Sequence, residues 1–396
     1  MQIDRRTFLR SGLVLPAMGL GVVQDRVGSS AGSSFDPRVE VNAGQMRHNV
    51  AEISRRAGGR PILAVIKNNG YGAGLLNAAH ILEPLDAVHG FAVVKLQEAV
   101  ALRDGGVSKP ILLMGPFNDA ELEDLAERAI TPMVYTAIGD SLDRCARKLG
   151  RPIDIHVCVD TGIGRVGVPF RQAVPLIRDL ATRTTVRLAG TMMTFSEDPE
   201  FDREQLRRFQ ALCSSLENEG LHLGKKHAAS SFGLFGDSDA FLDMVRPGMA
   251  LFGIYSEPEF RTLGAMDLRP AIAFKARVVY VKQLLKGESA GYNRVYRAQE
   301  DVWVATIPVG HADGYPRAAT KGAKLRIGDR LYPVVAVSAS HCVAEVGREC
   351  TVSIGDEVAL FDGREGSRPE DVAGSCGGSV YDLTMHLSVL LPRRVV

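Results

Sequence analysis

Cysteine is scarce in this chain and follows no pattern. The six thiols among 396 residues, Cys145, Cys158, Cys213, Cys342, Cys350 and Cys376, make no Cys-x-x-Cys pair and no zinc-ligand spacing. That excludes a disulfide-built scaffold, and no metal is expected. The thiols read as mostly buried and free, with a Cys342–Cys350 bridge left open if the chain works in an oxidising compartment. An excess of either charge is also missing: 47 basic against 46 acidic residues leave a net +1. There is then no electrostatic case for nucleic acid or for an anionic membrane surface. The apolar run from Ser11 to Val23 is 13 residues, too short to span a bilayer comfortably. Aromatics are few, at 6%, yet 45% of residues are hydrophobic, enough for a sizeable core.

What is present begins with a leader. Arg5-Arg6, then Phe8-Leu9 and the moderately apolar run, look like a twin-arginine export signal. Residues 24 to 36 are Gly/Ser-rich and read as a linker, with no crisp Ala-x-Ala cleavage site. Export in the folded state to the periplasm is expected, with a retained membrane tether as the other outcome. Such a route suits a protein that captures a cofactor before crossing.

From Gly44 to about Ser256, short apolar runs alternate with amphipathic stretches. Pro61–Ile66, Gly90–Val94, Pro110–Met114, Ile153–Val159, Leu188–Met193 and Met249–Ile254 read as buried strands, with helices such as Gln97–Arg103 and Arg203–Leu216 between them. Repeated strand–helix units over this length predict an α/β fold, a (β/α)₈ TIM-type barrel, with chemistry gathered at the carboxyl ends of its strands. After Leu268 the texture changes to period-two alternation, as in Ala273–Lys282 and Trp303–Val309, with Gly-Asp turns at 328–329 and 355–356. Three segments result: a leader and linker over 1–35, the barrel over 36–268, and a mainly β C-terminal domain over 269–396.

One stretch organises the rest. Leu63-Ala64-Val65-Ile66 lead into Lys67, and Asn68-Asn69-Gly70-Tyr71-Gly72-Ala73-Gly74 follow at once. A lysine at the end of a buried strand has a depressed pKa and becomes a usable amine nucleophile. The glycines let the backbone turn tightly and approach a phosphate, to which the Tyr71 hydroxyl can donate. A pyridoxal phosphate Schiff-base site needs that arrangement. A strand, a solvated lysine and a glycine loop would read the same way from these residues alone.

The segment resembles the cofactor-lysine motif of alanine racemases, the fold type III pyridoxal phosphate enzymes. The resemblance continues in chain order through Asp160-Thr161-Gly162-Ile163-Gly164-Arg165, Val245-Arg246-Pro247-Gly248 and Gly310-His311-Ala312-Asp313-Gly314-Tyr315, and covers about residues 38 to 396. It implies pyridoxal 5'-phosphate as cofactor, a small amino-acid substrate, alanine foremost, and a homodimer with shared active sites. By resemblance Lys67 is the amine. Tyr71, Ser231, Gly248, Met249 and Tyr381 hold the phosphate. Arg246 faces the pyridine nitrogen, Arg165 takes the substrate carboxylate, and the Ala339 backbone N–H reaches it as well. The catalytic pair would be Lys67 and His311 of the partner subunit.

Several positions depart from the family pattern. His311 stands where the family has a tyrosine base, Thr194 where it has a histidine paired with that tyrosine, and Cys158 where many members have a carboxylated lysine. Ala339 and Ser340 replace a Met-Asp pair. Either the relay is rebuilt around His311, giving two-base racemisation, or the chemistry at Cα has changed. The alternatives are a lyase or aldolase acting on β-hydroxy amino acids, and a non-catalytic cofactor-binding periplasmic protein.

Overall fold

The computed structural model describes residues 34–396; the leader motif, Arg5-Arg6 and the run that follows, lies outside them. Seven parallel strands pair in chain order: Ile62–Val65, Val88–Val93, Ile111–Leu113, Ile130–Val134, Ile153–Asp160, Val186–Met192 and Lys225–His227. A short parallel strand, Val168–Pro169, adds to the fifth. Every residue of Ile62–Val65 is buried, as expected of a strand covered on both faces. Helices such as Leu75–Leu82, Leu96–Asp104 and Pro199–Asn218 cover the outside.

An extended segment, 243–247, closes the ring. Asp243 N–H donates to Lys226 O on one side, Leu63 N–H to Val245 O and Val65 N–H to Pro247 O on the other. Ile62 bridges Val245 and His227 bridges Met244, both in parallel. The barrel is therefore complete, but its last staves differ from the sequence reading. Met249–Phe252 is a 3₁₀ turn, not a strand. A short all-apolar run buried on every side is ambiguous between strand and turn, and here Pro247-Gly248 end the extended segment first.

The second sheet has nine strands. It runs Tyr280–Leu284, Val302–Ile307, Cys342–Gly347, Arg330–Val337, Lys324–Ile327, Glu357–Phe361, Ile272–Arg277, Arg38–Val41 and Arg393–Val395. Strict alternation of burial along Ile272–Arg277 and Cys342–Gly347 gives it one packed face. The expected single run Ala273–Lys282 is two strands. Val278 N–H donates to Asp356 O and Val279 N–H to Thr306 O, so the chain changes partners between adjacent residues.

The sequence reading is corrected at one more place. Arg38–Val41 precedes the barrel in the chain yet pairs antiparallel with Ile272–Arg277 and parallel with Arg393–Val395. These residues, assigned above to the 36–268 segment, belong to the β sheet. All six cysteines are free, so the Cys342–Cys350 bridge does not form; Cys350 is exposed and the other five are buried.

Candidate active site

Lys67 follows the first barrel strand at the carboxyl ends of the staves. The backbone then makes an unusual turn: Asn68, Asn69, Gly70 and Tyr71 all have positive φ, at 52°, 56°, 60° and 52°. Four consecutive left-handed residues cost energy at every non-glycine position. Tertiary contacts hold them there. Asn69 N–H donates to Glu98 Oε1 at 2.8 Å, the Asn69 Oδ1 accepts from Leu75 N at 3.0 Å, and Arg393 Nε donates to Gly72 O at 2.9 Å. Gly72 is required by a close approach, since a Cβ there would lie 2.2 Å from Thr384 O. That neighbour is the backbone of the helix Val380–Met385, so this glycine docks the turn against protein, not against a phosphate.

The turn presents two groups. The Lys67 amine makes no hydrogen bond or ion pair with the described residues. Burial first, then Arg165 and Arg246, hold its ammonium below the ordinary lysine range, with Glu98 opposing. Tyr71 is 4% exposed and its hydroxyl is likewise unbonded among the described residues. Burial foremost, then Tyr381 and Glu98, push that phenol well up, so it stays a donor.

Opposite Tyr71 lies a cradle of small groups. The Ser231 Oγ accepts from Gly248 N at 2.9 Å and Ala250 N at 3.2 Å, which leaves its hydroxyl hydrogen free to donate. A Cβ on Gly248 would fall 2.2 Å from the Tyr71 hydroxyl oxygen, so only glycine leaves room there. Tyr381 completes the group, its ring 6.3 Å from that of Tyr71. The Met249 N–H, first in its turn, has no acceptor among the described residues. The Tyr71 and Ser231 hydroxyls and the Met249 N–H are donors left unspent by the described residues, as an anion site needs.

Arg246 is 5% exposed and fully committed on one edge. Its Nη1 donates to His227 Nδ1 at 2.9 Å and to His227 O, and its Nη2 to Met193 O at 3.0 Å and Thr194 Oγ1 at 3.3 Å. The Nε edge carries no bond among the described residues. Burial lowers its pKa only to about 10, so it remains a cation at neutral pH. Behind it, His227 Nε2 meets His156 Nδ1 at 2.9 Å. Because arginine can only donate, His227 Nδ1 accepts, its Nε2–H donates to His156, and both tautomers follow. Sequence reasoning missed both histidines: His156 in an apolar strand reads as core, and His227 after two lysines reads as surface.

Asp160 builds the Arg165 loop. Its Oδ1 accepts from Gly162 N at 2.9 Å and Gly164 N at 3.1 Å, turning the chain so that Arg165 is exposed with no partner among the described residues. Below it Cys158 is buried, its thiol pushed up to about 11 by that burial. It supplies no charge to orient Arg165.

His311 and Ala339 stand together but apart from this group. His311 N–H donates to Ser338 O at 3.0 Å and Ala312 N–H to Ala339 O at 2.9 Å, interlocking the two loops. His311 is exposed and lines a cavity of about 460 Å³ with Tyr315, Cys376 and His386, but with none of Lys67, Arg165, Ser231 or Arg246. Arg317 Nη2 donates to His311 Nε2 at 2.8 Å, a partner that no local sequence signal announced. Tyr315 is fully buried and cannot stand in for it.

A closed barrel that brings one unbonded amine beside an anion cradle and a buried guanidinium edge is built to hold a phosphorylated aldehyde. The residues fit pyridoxal phosphate, down to the space at Gly248. Residues 41–256 match the family model described as alanine racemase, N-terminal domain, and residues 271–395 the one described as alanine racemase, C-terminal domain. The chain is 31% identical over 364 residues to the alanine racemase of Clostridium tetani, covering 89% of this chain and 94% of that one. It is 33% identical to the alanine racemase of Symbiobacterium thermophilum, covering 89% and 95%. Among solved structures, the alanine racemase of the D-cycloserine producer Streptomyces lavendulae superposes with a TM-score of 0.85 at 25% identity, covering 92% of this chain and 98% of that one. The chain belongs to the alanine racemase family, whose members are pyridoxal phosphate enzymes.

Proposed function

We propose that this chain is a pyridoxal phosphate-dependent racemase of small amino acids, alanine foremost, working as a homodimer. The observation that carries the reading is the unbonded Lys67 amine, held by a left-handed turn beside the Tyr71–Ser231–Gly248 cradle. Lys67 would hold the cofactor through its amine, Tyr71, Ser231, Gly248, Met249 and Tyr381 would hold the phosphate, and the free Nε edge of Arg246 would face the ring nitrogen. When bound, the cofactor supplies an electron sink that makes the substrate Cα–H acidic.

The chain's own residues do the rest. Arg165, exposed and unpartnered, offers a planar fork to a carboxylate, and the free Ala339 N–H of the second subunit reaches the same group. Arg246, cationic at neutral pH, does not give up a proton to the ring, so charge at Cα is only partly drawn away and reprotonation is prompt. Lys67 moves the proton on one face of Cα. His311 of the partner subunit works the opposite face; within one chain the cavity His311 lines is not lined by Lys67.

The second reading, cleavage of a β-hydroxy amino acid, turns on the same His311, whose Nε2 accepts from Arg317. That bond uses the Nε2 lone pair and leaves the ring proton on Nδ1, so His311 takes a proton, from Cα or from the hydroxyl of a β-hydroxy amino acid, only once Arg317 releases it. Incubation in deuterium oxide with L-alanine, and separately with threonine, separates the two. Racemisation of alanine with deuterium at Cα is expected; cleavage of threonine without exchange into alanine would replace the racemase reading, and neither would leave a binding protein. Borohydride reduction should fix the pyridoxyl mass on the Lys67 peptide, and a label on another lysine would overturn the site.

We also infer that the chain is exported folded to the periplasm by the twin-arginine route. The support is in the sequence of the leader; among the described residues no helix is long and apolar enough to cross a membrane.

A further inference from the structure

Glu98 belongs to no part of the machinery above, yet its carboxylate reaches into it. It sits in the first turn of the helix Leu96–Asp104, directly after the second barrel strand. One oxygen accepts from Asn69 N–H at 2.8 Å, two residues from Lys67. The other oxygen is buried and has no hydrogen-bond partner among the described residues. A buried carboxylate oxygen without a donor is costly and needs a compensating interaction.

The surroundings say what that interaction is. The groups that act on the Lys67 ammonium are burial, Arg165, Glu98 and Arg246. Of the charges that act on it, two are guanidiniums and Glu98 is the anion. Without it, the lysine would face two cations and no anion.

We propose that Glu98 is the positioning residue of Lys67: one carboxylate oxygen pins the left-handed turn through Asn69, and the other supplies the negative charge that balances the lysine against Arg165 and Arg246. Glu98 fixes where the amine stands and at which pH the amine is free. Loss of the charge alone should make Lys67 titrate lower. Loss of the side chain should also release the turn. The inference rests on the reading of Lys67 as the cofactor amine, and the test keeps the two apart.

The test is competitive acetylation of the full-length, cofactor-stripped chain across pH, with Lys67 quantified by mass spectrometry against the exposed Lys324. This reads the amine itself, with no turnover. Glu98→Gln keeps an acceptor for Asn69 N–H and removes the charge. It should move the Lys67 midpoint down by about one pH unit, the order expected for a unit charge acting across a partly buried site. Melting temperature should change little. Glu98→Ala should lower both the midpoint and the melting temperature. Glu98→Asp keeps the charge and should hold the midpoint near wild type, which serves if Glu98→Gln fails to fold. An unmoved midpoint in folded Glu98→Gln, or an Asp variant shifted as far as Ala, overturns the assignment. Borohydride labelling of the wild-type holoenzyme judges the cofactor reading separately.

Discussion

His311 carries the most consequence of any single residue, because the proposed reaction turns on it. If it works one face of Cα, His311→Ala should abolish racemisation. Lys67-side exchange of Cα deuterium and cofactor binding should persist. General acid–base groups contribute about 10² to 10⁴-fold, so a loss of that size in kcat is expected. Near wild-type racemisation would remove His311 from the mechanism. His156 makes a prediction of a different kind. Burial, then Arg246, lower its pKa from 6.5 to about 4, and His227 moves the same way. The unfolded chain therefore binds these protons more readily than the fold does. Stability from the neutral pair is complete above about pH 6.5 and is lost as pH falls toward 4. Denaturant midpoints should drop across that window, and the drop should be shallower in His156→Gln. A curve of equal steepness would show that the pair does not set the acid limb.

At the scale of elements, the Lys67 turn shows how function is held by distant backbone. Arg393 donates from Nε to Gly72 O, from Nη1 to Leu391 O at 2.7 Å, and from Nη2 to Ser388 O at 3.0 Å. One guanidinium thus ties the chain's last strand to the glycine after the cofactor turn. Arg393→Ala should cost about 2 kcal/mol in denaturant melts, since several part-buried carbonyls lose their donor together. It should also weaken cofactor retention. A variant that keeps full stability would mean that water replaces the guanidinium. Much of this region was legible beforehand: the apolar run into Lys67, the glycine spacing, and the motifs bearing Arg165 and Arg246. The parts not legible have physical reasons. The strand Ile130–Val134 carries Pro132, which speaks against a central strand, and Lys225–His227 is polar throughout. Contacts such as Glu98 with Asn69, or Arg317 with His311, arise only when separate elements meet. Periodicity gave the barrel and the β-domain, but it could not show where a strand changes partners, as at Val278–Val279.

For the whole molecule, the export prediction is the one that sequence alone carries. A reporter fused to residues 1–35 should leave the cytoplasm, and Arg5→Lys with Arg6→Lys, which keeps charge and removes the pair, should stop it. Export equal to wild type would rule out the twin-arginine route. The pairing of Arg38–Val41 was also invisible from the sequence, since its partners lie more than two hundred residues away and no local pattern names them. That strand is held between Ile272–Arg277 and Arg393–Val395. During synthesis it emerges among the first residues and then waits. This strand gains its second neighbour only after residue 395 has been made. Anything borne on residues 1–33 is therefore attached to a segment that locks late.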